Sequence, residues 1–140
     1  MTLNARRTMA KDKKNSLVHL SSILGDMSLP FHGVYSGTKT FNKVFSRMIY
    51  MGKYPSAPDT LIVKPGIVTT GMTDYHKDLS SAEPEDTVLG VTREMGLRTY
   101  GETNGAFVHS IMGESGSYTP DFAMHLFRKE TGKLDKAPYK

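Results

Sequence analysis

Between Val34 and Gly52 the apolar residues Val34, Phe41, Phe45, Met48 and Ile49 recur at helical spacing, which predicts a helix with one buried face. Gly52 and the "YPSAPD" cluster end it. Ahead of it, "SLVHLS" at 16–21 is a short apolar run meeting small polar residues, the pattern of a buried strand that stops at a loop. "TLIVKPG" at 60–66 is β-branched and closed by Pro-Gly, a second buried strand feeding a sharp turn. Residues 85–97 place Val88, Val91 and Met95 on one face with acidic residues first, which predicts a helix. "NGAFVHSIMG" at 104–113 reads as a third strand, and "PDFAMHLFRKE" at 120–130 as a helix opened by Pro and Asp. Residues 1–15 read as a helix or loop and 131–140 as a loose tail on either side of one domain at 16–130.

Strands that alternate with helices call for crossover connections, so the expected fold is α/β, a parallel sheet with helices on its faces. A chain of 140 residues with 38% hydrophobic and 23% charged content suits one such domain. The net charge of +4 is spread along the chain, so nucleic-acid binding is not expected and "KDKK" at 11–14 reads as a solvated run. With no cysteine and five histidines outside metal-ligand spacing, neither a thiolate centre nor a bound metal is expected. No apolar run is long enough to read as a transmembrane segment. The nine methionines read as core filler, His32 as a solvated loop residue and His109 as packed against the sheet, neither histidine being catalytic.

In an open parallel sheet, ligands bind outside the carboxyl ends of the strands. The first strand ends at Ser21–Ser22, the next helix opens near Tyr35, and the second strand ends at Pro65–Gly66, so all three points fall on one edge. Tyr35 and Lys39 are one helical turn apart on one face. A free phenol is a poor proton donor at neutral pH, and a neighbouring ammonium favours its ionised form. Such a phenol can protonate a developing alkoxide while Ser22 holds the same oxygen by a hydrogen bond.

Ser22, the Tyr35-Ser-Gly-Thr-Lys39 segment thirteen residues on, and "PGIVTTGM" at 65–72 together resemble the short-chain dehydrogenase/reductase family. "SSILGDMSLPFHGVYSGTKTF" and "ETNGAFVHSIMG" resemble its very-long-chain 3-oxoacyl-CoA reductase and 17β-hydroxysteroid dehydrogenase branch. The resemblance implies the C-terminal half of a Rossmann-like doubly wound sheet. It makes Tyr35 the general acid, Lys39 the residue that tunes it and holds the nicotinamide ribose, and Ser22 the ligand of the substrate carbonyl. It places Pro65, Gly66, Val68 and Thr70 beside the nicotinamide of NADP or NAD, and Ile23, Leu24, Phe31 and Val34 along a lipid-like ketone or acyl-CoA substrate.

The resemblance runs from about residue 16 to residue 113, and no glycine-rich GxGxxG turn for a pyrophosphate occurs in the chain. Asn4 and Asn15 lie too close to Ser22 to act as the family's catalytic asparagine. The expectation is therefore a reductase whose cofactor-binding N-terminal half, or a complementing chain, comes from outside this sequence. A homo-oligomer is compatible with it, and full-length members of the branch sit at the endoplasmic reticulum membrane. The alternative is a non-catalytic interaction module that keeps the fold's second half.

Overall fold

The computed structural model describes residues 16–27, 32–51, 59–95, 97 and 100–117. Its elements are β1 (Ser16–Leu20), α1 (Gly33–Met51), β2 (Asp59–Val63), β3 (Ile67–Val68), β4 (Ser81–Ala82), α2 (Pro84–Glu94), β5 (Tyr100–Thr103) and α3 (Phe107–Ser117), with 3-10 turns at Ile23–Gly25 and Gly71–Thr73. The main sheet has the order β1-β2-β5. Both pairings are parallel, Val18 opposite Leu61 and Leu61 opposite Gly101, so this is a partial Rossmann-like α/β fold. β3 and β4 form a small parallel pair of their own.

The middle strand is the core. β2 is hydrogen-bonded on both sides, and Thr60, Leu61, Ile62 and Val63 are all buried, which is what its β-branched run without alternation requires. β1 lies at the margin of the sheet, and its Val18 and Leu20 remain 46% and 59% exposed. α2 begins as its sequence dictates, with Pro84 in the first turn, Glu85 and Asp86 beside it, and Arg93 in the last turn. It lies so close to the residues after β5 that a Cβ on Gly90 would fall 2.0 Å from the carbonyl oxygen of Gly105, itself at φ 74°.

Two expectations are corrected. The apolar run at 104–113 is not a strand: the third strand is the polar Tyr100–Thr103, and the run enters α3 instead. Short apolar runs fit either period, and here the inward positions are His109 and the half-buried Met112 and Gly113, a helical step, after a turn at Gly105. The face of α1 also differs. Val34, Phe41, Val44, Met48 and Met51 are exposed, Phe45 and Ile49 are half-buried, and the residue wholly buried on this helix is Ser46. Phe41 and Phe45 stack on each other with centroids 5.7 Å apart. Periodicity identified the stripe but not what covers it. The helix expected at 120–130 lies outside the described residues.

Candidate active site

The loops leaving β1 and β2 are laced together. Ser21 N–H donates to the Val63 carbonyl at 2.7 Å and Ile23 N–H to the Pro65 carbonyl at 3.1 Å, continuing the parallel ladder past the strand ends. Ser22 is buried; its hydroxyl accepts from Leu24 N–H at 3.2 Å and lies 3.4 Å from the Pro65 carbonyl. The latter distance is at the limit of a hydrogen bond, so the hydroxyl can turn to another acceptor at small cost.

α1 is fixed against this seam through its backbone. The Ser21 hydroxyl donates to the Lys39 carbonyl at 2.7 Å, and the Thr40 hydroxyl donates to the Gly25 carbonyl at 2.6 Å. A Cβ on Gly25 would come within 3.1 Å of the Lys39 carbonyl carbon, so a larger residue would push the turn and the helix apart by a few tenths of an ångström. Within the helix the Lys39 ammonium lies 5.4 Å from the centre of the Tyr35 ring, over its face. Tyr35 is 38% exposed, so the pair is open to a ligand. A cleft of about 340 Å³ lined by Gly25, Asp26, Met27, Gly33, Ser36 and Thr40 runs beside it.

The third part is the loop after β2. Thr70 Oγ1 donates weakly to the Val68 carbonyl at 3.3 Å, and that carbonyl also accepts from Thr73 Oγ1 at 2.8 Å. Thr69 N–H donates to Ala82 at 3.0 Å, which ties the loop to β4. Of the substrate-side residues expected from sequence, Ile23 is buried, Leu24 half-buried, Val34 86% exposed, and Phe31 lies outside the described residues. A larger cleft of about 690 Å³ lies between β4, α2 and α3 and shares only Thr69 with this loop, so size alone points away from the tyrosine and lysine.

Sequence reasoning did not find the charge network behind the site. Asp26 binds Lys43 of α1 and, at 2.8 Å, Lys64 just after β2; Lys64 reaches Glu102 of β5 at 2.8 Å; Glu102 accepts from Arg47 Nε at 2.8 Å. Burial alone would raise the Asp26 carboxyl, but the hydrogen bonds from Lys43 and Lys64 outweigh it and hold it below the usual range. Glu102 is likewise opposed by burial and held low by Lys64 and Arg47. Burial would lower Lys64, and its two carboxylate partners raise it instead. The partners are 17 to 55 residues apart in sequence, beyond the reach of any local pattern.

The structure places a serine at one strand end, a tyrosine-lysine turn on the following helix and a Pro-Gly loop after the next strand of a parallel sheet. The chain is similar in sequence to several known reductases. The chain is 27% identical over 132 residues to the human very-long-chain 3-oxoacyl-CoA reductase, covering 94% of this chain and 42% of that one. It is 33% identical over 101 residues to the reductase-A of Danio rerio, covering 71% and 31% of the two chains. It is 28% identical over 99 residues to the 3-ketodihydrosphingosine reductase of Bacteroides thetaiotaomicron, covering 69% and 36%. The chain thus spans less than half the length of these curated relatives. No family model and no solved structure matches it. These matches make the chain similar to the short-chain dehydrogenase/reductase family.

Proposed function

We propose that this chain carries the proton-transfer half of an NADP(H)-dependent reduction of a keto-lipid, a 3-oxoacyl-CoA or a steroid-like ketone, to the hydroxy compound. The observation that carries the reading is the Lys39 ammonium held over the face of Tyr35 on a helix whose backbone is bonded to the serine-bearing strand end. Tyr35 donates its hydroxyl proton to the substrate oxygen as charge develops there, and Lys39 stabilises the phenolate left behind. Ser22 turns its hydroxyl from the Pro65 carbonyl to the same oxygen.

The residues present suit the nicotinamide end of such a cofactor: an ammonium for ribose hydroxyls and, at Thr70, a loosely held hydroxyl for the carboxamide. The bound cofactor supplies the hydride. Its pyrophosphate calls for a glycine-rich turn that the sequence does not contain, and a cofactor-binding segment or complementing chain provides that turn in this reading. The coenzyme, the acyl or steroid body and the partner half rest on the family resemblance. The test is carbonyl reduction by the protein assembled with its cofactor-binding half, with Tyr35→Phe as the variant. Near-complete loss with the fold retained supports the reading; unchanged reduction overturns the role of Tyr35, and no reduction by the unsubstituted assembly favours the non-catalytic module.

A further inference from the structure

Behind the Pro65–Thr70 loop lies a group that the proton transfer does not use. His109 of α3 is completely buried, its Nε2 is 2.8 Å from the Ile67 carbonyl, and its Nδ1 has no partner among the described residues. A carbonyl only accepts, so Nε2 carries the hydrogen in this contact, an assignment made from the partner. The ring also touches the turn itself. A Cβ on Gly66 would fall 2.7 Å from His109 Cδ2 and 3.2 Å from the Ile23 side chain. One imidazole therefore braces the loop after β2 at two successive residues, on the side where Ile23 fixes the loop after β1.

We propose that His109 is a positioning residue: it sets the position of the Pro65–Thr70 loop, the segment assigned above to the nicotinamide, by bonding the Ile67 carbonyl and filling the space that Gly66 leaves open. Its use rests on the reading of that loop as a cofactor contact. The brace itself does not. An imidazole whose second nitrogen finds no partner among the described residues is a costly choice for filling volume, and an aliphatic side chain would fill it without that cost. The bond it makes to the loop is what an aliphatic side chain lacks.

Amide hydrogen exchange in the chain as it stands separates the two claims. His109→Leu keeps bulk and removes the donor, and it is expected to speed exchange at residues 67–70 about tenfold, the equivalent of one hydrogen bond, while β1 and β2 are unchanged. His109→Gln, whose amide nitrogen reaches the place of Nε2, is expected to restore slow exchange. Should His109→Leu fail to fold, His109→Asn, whose amide stops at the place of Nδ1, serves instead. Equal exchange in the loop with and without the donor, or acceleration spread evenly over the whole sheet, overturns the proposal. In the assembled reductase the loss of the donor is expected to raise KM for the nicotinamide cofactor more than it lowers kcat. A protein in which Tyr35→Phe has no effect would remove the cofactor reading and leave the exchange result standing.

Discussion

The hydroxyl of Ser21 donates a 2.7 Å hydrogen bond to the carbonyl of Lys39, so the residue just past β1 holds the helical turn that carries the tyrosine-lysine pair. Ser21 is 1% exposed, and the bond joins positions 18 apart. The neighbouring Ser22, also buried, instead turns its hydroxyl to Leu24 N–H and the Pro65 carbonyl.

Ser21→Ala is expected to lower stability by about 1 kcal/mol, the net worth of one buried hydrogen bond, with a measurable fall in Tm. Because the bond ends on the backbone of Lys39, the proposed function also predicts a lower kcat for carbonyl reduction by this variant. A variant that keeps wild-type Tm and activity shows that the contact is idle.

The charge network gives stability a defined pH dependence. Asp26 and Glu102 are held below their usual carboxyl range, so the stability they contribute is present above the unfolded values, near pH 4, and is lost as pH falls through the lower folded ones. Lys64 is raised, so its contribution is full below its ordinary value and disappears only as pH rises through the higher folded one. Asp26→Asn is expected to cost about 2 kcal/mol at pH 7 and to flatten the acid limb in urea unfolding followed from pH 7 to pH 2. An acid limb as steep as the wild type's would show that other carboxyls set it.

Gly90→Ala places a methyl group 2.0 Å from the Gly105 carbonyl oxygen, a backbone atom that cannot step aside without moving the end of β5. A loss of about 3 kcal/mol or more is expected, within the range for overpacking. Gly37→Ala is the control, since nothing lies within 4 Å of its added Cβ; it should keep or gain stability. Equal Tm for the two variants would mean that α2 does not pack on Gly105 as described.

β1, β2 and α1 were legible because their apolar runs are local and strongly patterned, and the order of strands and helices fixed the parallel sheet. β5 was not, since "YGET" has no apolar signal and becomes a strand only by pairing with β2. α3 was misread because "FVHSIM" suits both periods until the turn at Gly105 decides. Tyr35 and Lys39 were legible as a pair through their four-residue spacing. Ser21 and the network of Asp26, Lys64 and Glu102 were not, because contacts across the fold leave no mark on neighbouring residues. The pattern of "FVHS" packs His109 against the sheet, but its bond to Ile67 depends on α3 lying behind the Pro-Gly turn, which no local pattern carries.

The most direct measurement of the central claim is the rate of NADPH-dependent reduction of a 3-oxoacyl-CoA by the protein assembled with its cofactor-binding half, compared with Tyr35→Phe. Loss of general-acid catalysis predicts a fall in kcat of about a hundredfold or more with an unchanged circular dichroism spectrum and Tm. A Tyr35→Phe protein that reduces the ketone at the wild-type rate would contradict the account and leave the tyrosine-lysine turn as an ordinary helix start.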